Sequence, residues 1–507
     1  MREYIQTDRP LTFGWSKLIV WSAVAIFLGA TWAITGIASL YIATGIATIL
    51  TFTAVVSAVP ELITFAALWT LILMPYFWGF ASGTMPKLFA DEAVLLLYIV
   101  AFPLLHLCGV RSWKSGYSSL YLVLALYLVL EAASFAVSEK DLVALRNFLE
   151  TSALGAILLI LFVQESSSKF KQRLVTESIV WIAVIVSIAS VAERIYQRNP
   201  VLEEYSNVSD PTLTPPIFLS AQVVRLAGGA YRPYVSFFHP SEAGMFMAMS
   251  LPFLITRWKE RRGLSSFVAC FCLAAGLLVN ATRGTWVAAA LITVLMLRDT
   301  WKIVAVLFPT GVIGGAVAYS VFHDSPFMES IVDPNNFLAR FVYWRLGWAV
   351  FADHPFLGVG HMQFAKYYLG FVNEVTDSVH IDLNQVKVLD NIYLTSLADH
   401  GVVGFVGLVG LFIYFAAVLR GSKRTLLRNA DNHGVSFVRC TEFALLAYAL
   451  AGCFADVTLF TKVTKFLFIL VGMSIGVGAK WKPKEQTTSM SELVVPRSLA
   501  LDRVQDA

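Results

Sequence analysis

The run GVVGFVGLVGLFIYFAAVL, from Gly401 to Leu419, decides the fold class of this chain. It has no charged side chain over a length close to the roughly 20 apolar residues that a helix needs to cross a bilayer. A helix satisfies its own backbone hydrogen bonds, which the hydrocarbon interior of a membrane requires. The sequence therefore predicts a membrane-spanning helix here.

Comparable runs recur along the whole chain. The predicted helices lie near 18–34, 37–56, 61–79, 92–109, 118–137, 148–164, 176–193, 240–256, 264–279, 285–297, 303–321, 401–419, 440–456 and 463–479. The composition agrees, because 57% of the 507 residues are hydrophobic and only 14% are charged, against roughly a quarter charged in soluble proteins. We predict an all-α polytopic integral membrane protein with about fourteen transmembrane helices, or twelve if the weakest are discounted.

Short lysine and arginine clusters between the apolar runs set the predicted orientation. They fall on one side of the alternating helices, and the positive-inside rule makes that side cytoplasmic, with both termini inside. Two long loops then face outward, at 194–239 and 322–400. The net charge of +4 gives no indication of a nucleic-acid partner.

This orientation divides the chain into segments. They are N-terminal transmembrane helices at 1–193, an outer loop at 194–239, transmembrane helices at 240–321 with a short outer turn at 280–284, a large outer loop at 322–400 that would carry the chemistry, C-terminal transmembrane helices at 401–484, and a disordered cytoplasmic tail at 485–507.

Arginine is far commoner than lysine in the outer loops and at their margins. Its planar fork of donors matches phosphate oxygens, whereas lysine is a point charge. The arginines concerned are Arg194, Arg198, Arg225, Arg232, Arg283, Arg340 and Arg345. They indicate a phosphate-bearing ligand, the alternative being pairing with acidic side chains or lipid headgroups.

Arg283 lies in the short turn NATRG, from Asn280 to Gly284. A permanent cation at the membrane boundary is costly without a partner, so we interpret it as part of a pocket rather than as a side chain snorkelling to headgroups. Thr282 would supply a hydroxyl, and Gly284 would allow close backbone approach.

The stretch NNFLARFVYWRLGWAVFAD, from Asn335 to Asp353, predicts an amphipathic helix within the second outer loop. An aromatic stripe at helical spacing is formed by Phe337, Phe341, Trp344, Trp348 and Phe351. Arg340 lies inside this stripe and Arg345 at its edge. A stacked guanidinium that binds a diphosphate is one interpretation. A helix lying at the lipid headgroups is the other.

Asp390 precedes the predicted helix at 401 and lies near the outer surface. It is either a helix N-cap or a carboxylate facing the same pocket. Glu131, inside an apolar span, is a second candidate by the cost of its burial. We find no cluster with convincing metal-ligand spacing and no glycine-rich phosphate loop, so we expect neither a metal nor a cofactor.

Four motifs in this order resemble the O-antigen ligase/polymerase superfamily, over about 230 to 410. They are Arg232 with Phe238, His239 and Pro240; Asn280 to Gly284; Arg340 and Trp344 followed by HPFLGVG from His354 to Gly360; and DNIYL from Asp390 followed by DHGVVG from Asp399 to Gly404.

The resemblance implies an inverting, metal-independent glycosyltransferase whose donor is a glycan on undecaprenyl diphosphate. It implies that Arg232, Arg283 and Arg340 hold the diphosphate. Asp390 stands where ligases of the family typically carry histidine, and we expect it to be the catalytic base, with His361, His380 or His400 as alternatives. Candidate supporting residues are Arg345, His239, His361, Asn391, Gly358 and Gly360.

The resemblance also implies a bacterial inner membrane and makes the outer loops periplasmic. Expected partners are the lipid-linked oligosaccharide, a glycan acceptor and membrane lipid, with a chain-length regulator protein as a further candidate. The aspartate favours a polymerase of O-antigen or exopolysaccharide. A ligase acting on lipid A-core or protein is the alternative, and a lipid-linked oligosaccharide flippase or transporter is the rival outside enzymes.

Overall fold

The computed structural model describes residues 60–74, 79–80, 88–89, 92, 95–96, 98–100, 102–103, 116–138, 142–165, 169–199, 231–237, 239–298, 335–372, 389–455 and 461–479. The predicted helices at 18–34, 37–56 and 303–321, most of the first long loop, residues 322–334 and 373–388 of the second, and the predicted tail at 485–507 lie outside these residues.

The described part is almost entirely helical. Its α-helices are α1 Pro60–Leu73, α2 Ser118–Ala132, α3 Leu142–Phe148, α4 Leu154–Glu165, α5 Lys169–Tyr196, α6 Pro240–Glu260, α7 Leu264–Asn280, α8 Arg283–Leu297, α9 Asn335–Asp353, α10 Phe364–Tyr367, α11 Ile392–Arg428, α12 Asn432–Ala451 and α13 Thr461–Ala479. Short 3₁₀-helices cover Ala133–Ala136 and Tyr368–Phe371, a π-helix covers Leu149–Ala153, and β1 Gly79–Phe80 pairs antiparallel with β2 Leu88–Phe89.

Within the described residues, six helical segments are long and apolar enough to cross a membrane: Ser118–Ala136, Ala144–Gln164, Lys169–Tyr196, Ile392–Arg428, Asn432–Ala451 and Thr461–Gly478. The shorter helices α7 and α8 are also apolar. The chain is therefore a multi-pass helical membrane protein, while the count of fourteen stays a prediction.

Helix α13 lies at the centre of the bundle. Its apolar stretch, Thr461–Gly478, is wholly buried in the protein. The helix packs against α4, α11 and α12. A Cβ on Gly472 would lie 2.5 Å from the backbone oxygen of Leu159, so the two helices approach at backbone distance. By contrast, α2 and α7 expose apolar side chains such as Leu122 and Phe271, as lipid-facing helices do.

The helix predicted to begin at Gly401 begins instead at Ile392, and Gly401 is a kink inside it, with φ 64° and ψ −164°. Asn391 caps the helix, its Oδ1 accepting from the backbone N–H groups of Tyr393 and Leu394 at 3.0 and 3.1 Å. The predicted boundary at 400/401 therefore falls at the kink, and a helical segment that begins at Ile392 precedes it.

The helix predicted over Asn335–Asp353 has the predicted bounds, but its buried face differs from expectation. Val342, Leu346 and Val350 are buried, at the spacing of one helix face. Phe341 and Trp348 from the aromatic stripe are 44% and 57% exposed. The aliphatic face therefore holds α9 on the protein, while part of the aromatic stripe faces outward.

Candidate functional site

The segment carrying Arg232 is clamped by the end of α5. The Glu193 carboxylate accepts from the backbone N–H of Tyr234 at 3.1 Å, and Arg194 donates to the backbone oxygen of Tyr231. Both contacts flank Arg232 along the chain. Because Glu193 is buried, its hydrogen bonds compensate for the cost of removing a carboxyl group from water.

The NATRG turn binds the same segment. The side-chain amide of Asn280, which is fully buried, donates to the backbone oxygens of Pro233 and Pro240 at 3.0 and 2.9 Å. Thr282 Oγ1 donates to Asn280 Oδ1 at 2.6 Å and accepts from Arg232 Nη2 at 3.1 Å. Two motifs that are far apart in sequence are therefore one hydrogen-bonded unit.

Arg283 opens α8 directly after this turn and is partly exposed. Ala281 makes the turn possible by adopting a left-handed conformation, with φ 56°. Gly284, predicted to allow close approach of a ligand, is approached closely by another part of the protein. A Cβ there would lie 2.5 Å from Cβ of Phe454, so glycine is required for packing.

Asp390 faces the arginines. Its Oδ2 lies 3.7 Å from Arg340 Nε. Arg232 is close enough to Asp390, Arg340 and Arg283 for all three to act on its charge. Burial lowers the pKa of Arg232 to about 10, with Arg340 and Arg283 acting in the same direction and Asp390 opposing them. The structure thus brings together the three arginines and the aspartate named from the sequence.

The Asp390 side chain is 41% exposed, yet enough protein surrounds it that desolvation raises the pKa of its carboxyl group, with Arg340 and Arg232 acting in the opposite direction. Asp390 is not the helix cap, because Asn391 fills that position. Asn391 also donates from Nδ2 to the backbone oxygen of Cys453 at 3.2 Å. Its role in the structure is to fix the helix start beside the carboxylate.

His239 caps α6, its Nδ1 accepting from the backbone N–H of Ser241 at 3.1 Å. Burial, and then the charge of Arg232, lower the pKa of His239 to about 3. The neutral ring therefore positions the chain next to Arg232 and is not an additional cation. Arg345 is exposed on α9.

Gly358 and Gly360 belong to a turn that docks on the kink of α11. The backbone N–H groups of Val359 and Gly360 donate to the oxygens of Ala398 and Asp399 at 3.0 and 2.9 Å. Gly358 has φ 67°, and a Cβ there would lie 2.4 Å from the Asp399 carbonyl carbon. These glycines connect the end of α9 to α11, and so help set Arg340 relative to Asp390.

We expect Gly358→Ala to destabilise the protein, because a left-handed conformation costs a non-glycine residue about 1–3 kcal/mol and the added methyl group meets backbone. Gly370→Ala is the matched control, since no atom lies within 4 Å of its ideal Cβ. Thermal unfolding in detergent should show a lower Tm for the first variant alone. An equal Tm for both would show that the docked turn does not constrain the fold.

His361 and His400 lie in a separate buried cluster, 2% and 4% exposed. His361 Nδ1 is 2.8 Å from His400 Nε2, and its Nε2 is 3.0 Å from Asn147 Oδ1. Burial lowers the pKa of His361 to about 4. Enclosed rings are poorly placed to meet an acceptor sugar, which favours Asp390 as the base. His380 lies outside the described residues.

Glu193, which connects α5 to the segment carrying Arg232, was not predicted from the sequence as part of the site. Glu193 gave one detectable signal, since it is a carboxylate at the end of an apolar span. The acceptors of Asn280 are backbone oxygens, which no side-chain pattern reveals.

A family model described as O-Antigen ligase matches residues 268–409. The match includes Arg283, Arg340 and Asp390, while Arg232 and His239 precede it. No curated protein matches the chain. The membrane helices and this match together confirm the similarity of residues 268–409 to the O-antigen ligase/polymerase superfamily.

Proposed function

We propose that this protein is a membrane glycosyltransferase that takes a glycan from undecaprenyl diphosphate and polymerises repeat units of O-antigen or exopolysaccharide. The observation that carries the proposal is the convergence of Arg283, Arg340 and Asp390 on Arg232. This arrangement provides both groups that the transfer needs: fixed cations for a leaving diphosphate and a carboxylate for the acceptor proton.

The three guanidinium groups repel one another, whereas each would attract a diphosphate. Among the described residues, the charges that act on Arg232 are those of Arg340, Arg283 and Asp390. Burial lowers the pKa of Arg232 most, and the two neighbouring guanidinium groups lower it further against the opposing effect of Asp390. An entering diphosphate would relieve that repulsion and accept paired hydrogen bonds. Because Thr282 and the segment ends hold Arg232 in place, little reorganisation is required when charge develops on the leaving group.

The Arg340–Asp390 pair suggests how binding and deprotonation are linked. Arg340 Nε lies 3.7 Å from the Asp390 carboxylate. A bound diphosphate would compete for Arg340 and so make Asp390 a stronger base. The acceptor hydroxyl oxygen then forms a bond to the anomeric carbon, the bond from that carbon to the diphosphate oxygen breaks, and Asp390 takes the hydroxyl proton. Attack opposite the leaving group inverts the anomeric configuration.

We propose that the site faces the periplasm across the bacterial inner membrane. Helices α5 and α6 support this orientation. The segment that carries Arg232 contacts the end of α5 at Glu193, and Asn280 of the NATRG turn contacts the start of α6 at Pro240. The opposite ends carry Lys169 and Arg257, as expected for cytoplasmic ends under the positive-inside rule.

A ligase is the second candidate, favoured by the description of the matching family. Polymerase is the first because Asp390 stands where ligases typically carry histidine. The donor and the leaving group are the same in both reactions. The acceptor differs: a lipid-linked repeat unit for the polymerase, and lipid A-core or protein for the ligase.

Deletion of the gene should separate these reactions. Loss of a polymerase is expected to leave single repeat units and no long glycan, because elongation itself is blocked. Lipid-linked and lipid A-linked glycans would be extracted and sized by gel electrophoresis and mass spectrometry, with the wild-type gene restored as control. Full-length polymer accumulating on undecaprenyl diphosphate would instead identify a ligase.

A further inference from the structure

A second cluster of ionisable groups lies apart from the arginines. Glu131 is at the end of α2, His361 follows the docked turn at Gly360, and His400 precedes the kink in α11. The three side chains are buried, and one potential ligand atom from each lies within 4.8 Å of the other two. Three separate parts of the chain thus bring nitrogen and oxygen donors to one point.

Glu131 is incompletely satisfied. Its Oε1 accepts from Ser152 Oγ at 2.8 Å. Oε2 is buried and makes no hydrogen bond of normal length within the described residues, although the Tyr127 hydroxyl lies near the same carboxyl group. A buried acceptor left unpaired is costly. Glu131 is 8% exposed. Together with His361 and Tyr127 it lines a cavity of about 40 Å³. This cavity is larger than a single water molecule requires.

The tautomer of His361 suits a metal. Asn147 Oδ1 can only accept, so His361 Nε2 carries a hydrogen and Nδ1 keeps its lone pair, which accepts from His400 Nε2 at 2.8 Å. On metal binding the hydrogen of His400 Nε2 would move to its Nδ1, which leaves Nε2 free to be a ligand. A histidine whose second nitrogen donates to a fixed oxygen is the usual arrangement of a metal ligand. The π-helix at Leu149–Ala153, which carries Ser152, orients Glu131 from the other side.

We propose that Glu131, His361 and His400 bind one divalent transition-metal ion of the zinc class, with water in the cavity as the fourth ligand. Two imidazoles and one carboxylate favour zinc or cobalt over magnesium. Bonds of about 2.0–2.1 Å in tetrahedral geometry need ligand atoms roughly 3.3 Å apart. The two histidine nitrogens would therefore separate by only about half an ångström on binding.

The ion would be structural rather than catalytic. It would join α2, the turn after Gly360 and α11 at one point. Asp390 lies next to Asn391, the N-cap of α11, so the metal would steady the helix that follows the base while staying apart from Arg232, Arg283 and Arg340. The proposal is independent of the transferred sugar and of the polymerase or ligase assignment.

The test uses the full chain, purified in detergent with an affinity tag that contains no histidine. Elemental analysis of the wild type should find about one zinc-class ion per chain, as for a three-ligand site. Cobalt added after chelation should give the visible absorption of a tetrahedral ion. His400→Ala should abolish both signals, while His354→Ala, which removes a histidine elsewhere in the same region, should leave them unchanged.

Glu131→Gln and Asn147→Leu keep the test decisive if His400→Ala does not fold. The glutamine is nearly isosteric and removes the anionic ligand, so the metal content should fall. Loss of the Asn147 acceptor should weaken metal binding about 10–100-fold. The proposal is wrong if the wild type neither retains metal nor binds cobalt, which would indicate a water-filled polar cavity. Equal metal content in the wild type and Glu131→Gln would also contradict it.

Discussion

Asp390→Asn is expected to insert and fold normally yet lose turnover by on the order of 10²–10⁴-fold, the usual contribution of a general base. Asparagine has nearly the same size but cannot take up a proton at neutral pH. The assay is transfer in proteoliposomes from a purified lipid-linked repeat unit, with protein level and Tm measured for each variant. If transfer is to lipid A-core instead, that acceptor is supplied in the same assay.

The cap assignment makes this substitution informative. Asn391, not Asp390, supplies the capping oxygen of α11, so helix stability should not change. Asp431→Asn makes the same chemical change at a residue that does cap a helix, α12, away from the arginines. Since Asn caps about as well as Asp, this control should keep its activity. Near wild-type transfer by Asp390→Asn would remove Asp390 from the mechanism.

The pH profile offers a further readout for the same residue. Transfer requires the deprotonated carboxylate, so the rate should fall as the pH falls through the pKa of Asp390. That pKa is raised by desolvation, so the acid limb should lie above the range of an ordinary aspartate, near 3.9. Asp390→His should restore part of the rate if any proton acceptor in this position suffices.

The helices could be predicted from the sequence, but not all of their ends. Apolar runs predicted α5, α6, α7, α8 and α13 to within several residues, because the bilayer requires a long apolar helix. The start of α11 was missed, since residues 392–400 are too polar to extend an apolar run. Two adjacent residues, Asp390 and Asn391, could each cap a helix, and only the backbone geometry distinguishes them.

The charged residues of the candidate site could be predicted from the sequence. The hydrogen bonds that hold these residues in place could not. Arginines in three motifs indicated a common ligand, and the structure places Arg283, Arg340 and Asp390 near Arg232. The network through Asn280 depends on backbone oxygens that the fold brings within reach. The cluster of Glu131 with His361 and His400 was missed for a related reason: its members are distant in sequence, so no ligand spacing appears.

Lysine at position 283 or 340 should cost most of the activity, although it preserves the charge. A phosphate held by a guanidinium fork loses one of two parallel hydrogen bonds and its fixed orientation when an ammonium replaces it. Removing one donor from a preorganised anion site typically lowers kcat about 10²–10³-fold. We therefore expect losses of that order in Arg283→Lys and Arg340→Lys at normal membrane levels.

Arg345→Lys is the appropriate control for this pair. It makes the same change on α9, at an exposed position five residues beyond Arg340. Arg194 would be a poor control, because it donates to the backbone of the segment that carries Arg232. Initial rates should be measured over a range of donor concentrations, since a group that acts on the departing diphosphate lowers kcat, whereas one that only binds the lipid raises KM. Full activity in both Arg283→Lys and Arg340→Lys would mean that these side chains contact lipid headgroups instead of the diphosphate.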